Sequence, residues 1–293
     1  MSLKQALACG EFVVTSEVGP PKGIDIADMM HAAEGMRKRV HAINVTDNQA
    51  AVMRLSTIAA CIHLKQAGFD PVLQVTGRDR NRIGIQSDLL GAASFGVTTV
   101  LALTGDHVVV GDHKEAKPVF DLDSVQILDA VAALNAGKDL MGNELSGTPE
   151  FLVGAVVTPD ANPIRPQLAK FDKKVRAGAQ YFQTQAVYNA ESFLGFMEHA
   201  RKRNAKVLAG IVVLRSAGMA RFINKNIPGI AVPPELIREL ENSPNAEQTG
   251  IEIAARFIRE TRDYCDGVHI MAVGADHLVP LVLDAAGIGE VAS

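Results

Sequence analysis

Three side chains of this sequence could act together on a small heterocycle: the carboxyl of Glu17, the carboxylate of Asp106 and the amide of Gln185. Glu17 ends an apolar run and stands just before Gly19, Pro20 and Pro21. A carboxyl stripped of water there favours its neutral form and can serve as a general acid. A Glu paired with Lys or Arg fits the position equally well. Asp106 closes TTVLALTGD (98–106), after Gly105, where the missing side chain lets backbone approach a ligand. Capping the loop that follows is its plainer role. Gln185 lies in FQTQAVY (182–188). A buried amide needs several partners, and a ligand with donors and acceptors side by side, such as a pterin, supplies them. An internal polar network would also do so.

The elements that must position these groups are eight strand-like runs at 12–18, 41–47, 71–77, 98–106, 151–159, 181–188, 206–214 and 267–274. VLALTGD and LAGIVVL are almost continuously apolar, as parallel strands covered on both faces must be. Between the runs the apolar spacing is helical, as at 53–65, 160–178 and 191–203. Eightfold alternation predicts an α/β fold, a single (β/α)8 TIM barrel over residues 1–293, with its active site at the C-terminal ends of the strands. Thr46 and Asp47 then join Glu17, Asp106 and Gln185 at the mouth. Two segments depart from the alternation. Residues 107–122 are too long for a tight βα turn and predict a binding loop. Residues 227–249 carry Pro228, Pro233, Pro234 and Pro244, and predict an insertion with a short helix at 235–241, before a large helix at 252–264.

Composition excludes several functions. A net charge of −4, no Trp and three Tyr argue against a nucleic-acid surface. Cys9, Cys61 and Cys265 are too scattered for a disulfide framework or a cysteine metal site. The eight histidines include no HExxH spacing, so no metal is expected, and His269 reads as a satisfied core residue. No membrane-length apolar run and no charged leader occur, so the cytoplasm is the expected compartment. Lys170, Lys173 and Lys174 form either a solvated helix face or a phosphate contact. RDRNR (78–82) opens the third helix in the same two senses.

Five segments, in this order, carry a family resemblance: SEVGPPKG (16–23), AINVTDN (42–48), the stretch from QVTGRDRNR to LALTGD (74–106), KKVRAGAQYFQTQAVYN (173–189) and GVHIMAV (267–273). Over nearly its whole length the chain resembles the methylenetetrahydrofolate reductases, flavin-dependent (β/α)8 enzymes. The resemblance implies that Glu17 protonates N10 as the folate imidazolidine ring opens. It implies that Asp106 lies between flavin and pterin, and that Gln185 holds the pterin, with Met219 where a substrate-contacting Gln is common. Thr46, Gly105 and Lys174 would contact the flavin. Asp47, Gln74, Thr104, Phe120, Asp121, Gln167 and Lys170 would complete its cradle. The implied cofactor is FAD or FMN, the candidate donor NAD(P)H and the product 5-methyltetrahydrofolate.

The chain departs from the family pattern at Gln74 (His in many relatives), Thr104 (Arg), Asp47 (Tyr), Met219 (Gln) and Met271 (Tyr). These positions touch flavin and reductant more than they touch Glu17, Asp106 or Gln185. The pattern resembles a branch found in anaerobes and in fusions with homocysteine methyltransferases, some of whose members take electrons from a partner subunit. Two other functions use the same pterin site: a flavin-free methyl-transferring barrel, and a folate-binding subunit without turnover. The sequence is compatible with a homo-oligomer and does not require one.

Overall fold

The computed structural model describes residues 1–227 and 229–291; Pro228, one of the four prolines of the expected insertion, lies outside them. Eight strands, β1 (Val13–Val18), β2 (Ala42–Val45), β3 (Pro71–Thr76), β4 (Thr99–Leu103), β5 (Leu152–Val157), β6 (Tyr181–Ala186), β7 (Lys206–Val212) and β8 (Gly267–Met271), close into one barrel in sequence order. Every pairing is parallel, including β8 with β1. The helices are α1 (Leu3–Cys9), α2 (Ala27–Gly35), α3 (Thr57–Gln66), α4 (Arg82–Ser94), α5 (Ser124–Asn135), α6 (Arg165–Arg176), α7 (Ala190–Arg201), α8 (Ala217–Asn226), α9 (Pro234–Asn242), α10 (Ala246–Thr261) and α11 (Leu278–Ala285). All eight expected strands are present, and the fold is the (β/α)8 barrel. No helix among the described residues is long and apolar enough to cross a membrane.

Strand alternation sorts the side chains into two cores. Outward residues such as Val14, Ile43, Val75, Val100 and Ala155 meet the helices in one large apolar cluster. Inward residues at the strand starts, among them Val13, Val72, Leu152, Tyr181 and Leu208, form a smaller cluster that also contains Leu3, Ala6 and Leu7 of α1. Helix α1 thus closes the bottom of the barrel. The sequence reading missed it because it is only seven residues long. Ser2 and Gln5 cap its start reciprocally, and Gly10, at φ 76°, ends it. The Leu3 N–H donates to Asp70 Oδ2 at 2.9 Å, fixing the plug to the lip of β3.

Above the plug the Tyr181 ring lies across Gly154. A methyl at that glycine would sit 2.3–2.6 Å from three ring carbons. Gly154→Ala is therefore expected to cost about 3 kcal/mol by overpacking, read as a lower urea midpoint.

Two boundaries differ from the sequence reading. The third expected helix begins at Arg82 rather than Arg78, because Asn81 accepts from the N–H groups of Ile83 and Gly84 and so caps the helix there. Helix α10 begins at Ala246, capped by Asn245, six residues before the expected start at 252. The insertion is correspondingly shorter, and α9 lies close to its expected place.

Candidate active site

Glu17 stands at the top of β1 with its side chain 14% exposed. Burial first, and then the charge of Asp276, push its carboxyl up to about 7. It lines two adjoining chambers at the mouth, of about 350 and 530 Å³, whose walls also share Gln49 and Ala50. The first chamber brings together seven residues named from the sequence: Glu17, Asp47, Gln74, Thr104, Gly105, Asp106 and Gln185. Thr46 lines the second. A larger cavity of about 650 Å³ lies between α6, α7 and residues 231–234. Among the described residues Asp160 alone is charged in its lining, so size does not locate the chemistry.

The mouth residues divide by whether the protein already uses their hydrogen-bonding groups. Among the described residues, the Gln74 amide, the Asp106 carboxylate and the Thr46 hydroxyl make no hydrogen bond to protein, and Gln185 uses only Oε1, which accepts from the Ala186 N–H at 3.0 Å. These groups are available to a ligand or to water. Others are engaged. Asp47 Oδ2 accepts from the Thr76 N–H and hydroxyl, both at 2.9 Å, and from Arg80 Nη2. Asp47 therefore clamps β2 to β3 from inside the mouth, which the sequence reading did not foresee. The Thr104 hydroxyl accepts from the Ser124 N–H at 3.2 Å.

A register irregularity in β6 directs Gln185 into the chamber. The pairing with β7 shifts between Gln183 and Ala186. The Thr184 hydroxyl fills the gap, accepting from the Gly210 N–H and donating to the Gln185 carbonyl, both at 2.8 Å. Gly105, at φ 88°, occupies the left-handed region that suits glycine and turns the chain into Asp106.

Six residues named from the sequence lie away from both chambers. Asp121 holds Arg82 in a two-pronged ion pair (2.8 and 2.9 Å), which keeps its carboxyl well below the usual range. The Phe120 N–H bonds the Gly77 carbonyl, and its ring stacks on His107. Gln167 and Lys170 sit on α6, Lys170 exposed. Lys174 is buried and donates to the Val156 carbonyl at 2.6 Å, with its amine lowered to about 8 by burial and by Lys170. Of the three lysines on this helix, it alone is not solvated. Met219 packs on the apolar cluster beneath α8 and α9, a cluster that Met271, a chamber-lining residue, also packs against.

The site also holds residues whose roles the sequence did not reveal. Arg78, only 1% exposed, forks onto Asp79 and donates to the carbonyls of Asn48 and Asp106. It is a strut under the mouth, not a solvated helix start. Below it, Asn44, Gln183, Thr15 and His269 form a hydrogen-bonded layer inside the barrel. The alternation of polar side chains inside β1 (Thr15, Glu17) and β6 (Gln183, Gln185) was the available signal.

The long loop after β4 folds back over the mouth. Asp112 accepts from Lys22 and, at 3.1 Å, from the Met53 N–H, while a turn at Val108–Val110 packs on residues 49–51. Gly111 lies so close to the Ala51 carbonyl that a Cβ would stand 1.9 Å from it. Asp112→Ala is expected to release this strap, with amide exchange at Val110 and Gly111 faster by about tenfold in hydrogen–deuterium measurements.

The family model for methylenetetrahydrofolate reductase matches residues 2–287. The chain belongs to this family. A relative, methylenetetrahydrofolate reductase 2 of Schizosaccharomyces pombe (strain 972 / ATCC 24843), is 24% identical over 246 residues, 79% of this chain. The alignment spans 36% of that reductase's own length. Two solved structures share the fold. One is an uncharacterized protein from Clostridium thermocellum that binds two copies of 5-methyl-5,6,7,8-tetrahydrofolic acid, with TM-score 0.66, 14% identity and coverage of 98% and 99% of the two chains. The other is an oxaloacetate acetylhydrolase in complex with 3,3-difluorooxalacetate, with TM-score 0.54, 10% identity and coverage of 98% and 86%.

Proposed function

We propose that this protein reduces 5,10-methylenetetrahydrofolate to 5-methyltetrahydrofolate with a bound flavin, FAD or FMN. The observation that carries the reading is Glu17: a buried carboxyl pushed up to about 7 on the wall shared by both chambers, in a chain of the methylenetetrahydrofolate reductase family. The groups left unengaged at the mouth suit a flavin ring and a pterin, each rimmed by donors and acceptors. Thr46, Gln74 and Gly105 would hold the flavin ring, and Lys170 its phosphate. When bound, the flavin supplies the hydride.

The protein's own groups do the rest. Neutral Glu17 gives its proton to the folate nitrogen as the imidazolidine ring opens. Asp106, on the wall of the same chamber, stabilises the cationic iminium on the opened substrate. The free NH₂ of Gln185 orients the heterocycle. NAD(P)H or an electron-delivering partner subunit would serve as donor. The Clostridium thermocellum protein's binding of 5-methyltetrahydrofolic acid supports a folate ligand for a barrel of this shape.

The test is an absorbance spectrum of the purified protein with the released flavin identified. Bleaching by NADH or NADPH and turnover of methylenetetrahydrofolate follow. A preparation that takes up neither FAD nor FMN yet binds methyltetrahydrofolate tightly would overturn the flavin reading in favour of methyl transfer.

A further inference from the structure

We infer that His269 is a positioning residue for Glu17: side chains crossing the barrel interior hold its imidazole as the Nε2–H tautomer and turn that N–H toward the Glu17 carboxyl. The inference rests on the reading of Glu17 as the acid. Asn44 on β2 and Gln183 on β6 form a reciprocal amide pair, with Asn44 Nδ2 donating to Gln183 Oε1 at 2.7 Å and Gln183 Nε2 donating to Asn44 Oδ1 at 3.1 Å. The same Gln183 nitrogen reaches Thr15 Oγ1 at 3.4 Å. The Thr15 oxygen is thus an acceptor on that side, and its own proton is free to donate elsewhere. His269 Nδ1 lies 3.0 Å away; the competing acceptor, the Val268 carbonyl, lies 3.5 Å away. A ring that accepts at Nδ1 while neutral carries its proton on Nε2. Nε2 faces Glu17 Oε2 at 3.9 Å.

The direction of that N–H matters for proton traffic. An imidazole already protonated at Nε2 cannot take a proton from Glu17. It can donate to the carboxylate that remains once Glu17 has given its proton away. The gap of 3.9 Å is longer than a hydrogen bond, and closes as Glu17 becomes anionic and draws the donor in. Burial leaves the ring neutral throughout, holding it down to about 4. The other charged groups around Glu17 are Asp47, Arg78 and Asp106 in the first chamber and Asp28, Arg54 and Asp276 in the second. The Asp47 and Arg78 side chains already have partners, so His269 is the neutral donor placed nearest the acid. Reversing both amides of the Asn44–Gln183 pair would seat the opposite tautomer and turn a bare nitrogen toward Glu17, and the ring's spectrum distinguishes the two.

The test is long-range ¹H–¹⁵N correlation on the whole ¹⁵N-labelled chain, with the His269 signals assigned by their loss in His269→Gln. The wild type is expected to show Nε2 protonated and Nδ1 bare from pH 5.5 to 9. Thr15→Val should give a mixture of tautomers, and Thr15→Ser should restore the single form. In turnover, the falling alkaline limb should move up by about one pH unit in Thr15→Val and stay in place in Thr15→Ser. An Nδ1–H ring in the wild type, or identical spectra for wild type and Thr15→Val, overturns the inference. If the tautomers behave as expected while Glu17→Gln retains full turnover, the ring assignment stands and the role of Glu17 as acid falls.

Discussion

Glu17→Gln is expected to lower methylenetetrahydrofolate turnover by about 10²–10⁴-fold, the usual contribution of a positioned general acid. Gln keeps the size and a polar end but has no proton of suitable acidity to give. Binding of 5-methyltetrahydrofolate should change little, because Asp106 and Gln185 are untouched. In the wild type the active form is the protonated one, so turnover should fall as pH rises through about 7. The same burial has a stability signature of opposite sense for the variant. The folded value lies above the unfolded 4.5, so the wild type loses stability between pH 4.5 and about 7 and keeps that deficit above it. Glu17→Gln should therefore be more stable at pH 8 by as much as about 3 kcal/mol and near neutral at pH 4.5. A variant with full turnover at pH 7 would remove Glu17 from the chemistry. A variant with no stability gain at pH 8 would mean that the carboxyl is better solvated than its surroundings indicate.

The largest stability loss is expected at Asp47. Asp47→Ala deprives the Thr76 N–H and hydroxyl of their acceptor and takes one partner from Arg80, inside a mouth where water cannot fully replace it. A loss of about 4 kcal/mol is expected in urea unfolding. Asp47→Asn, which keeps an acceptor oxygen without the charge, should lose about half as much. Arg80 retains its second carboxylate, Asp88 at 3.1 Å, so the variant should remain folded. Equal losses for the two variants would show that charge, not hydrogen bonding, holds the β2–β3 clamp.

The two predictions mark the boundary of what was legible in the sequence. Strand identity was legible, because parallel strands buried on both faces leave near-continuous apolar runs that no neighbouring segment imitates. The polar punctuation at strand ends was legible too: Glu17, Gln74, Asp106 and Gln185 all line one chamber. What could not be read was which polar groups the fold uses for itself. Asp47 and Gln74 look alike as polar residues near strand ends, yet one is bonded to Thr76 and Arg80 while the other, among the described residues, has no protein partner. That difference is made by Arg80, 33 residues from Asp47 and across a helix and a strand. Lys174 is similar: helical spacing marks it as a surface lysine, and only the packing of α6 on β5 reveals the Val156 carbonyl that holds it. Helix boundaries failed for a simpler reason, since one capping side chain, Asn81, overrules a charged run that would otherwise extend the helix.

Helix α1 stands first in the chain, but its seat is drawn from strands around most of the barrel. Its apolar face packs into a cluster built from the opening residues of β1 through β7, and Tyr181 and Leu208 in that cluster lie 170 or more positions downstream. The seat is complete only once the sheet has curled most of the way round. Docking of α1 therefore reports ring closure, one of the slow, long-range events of folding. Cys9, exposed at the end of this helix, is the natural place to hang a dye that would time it.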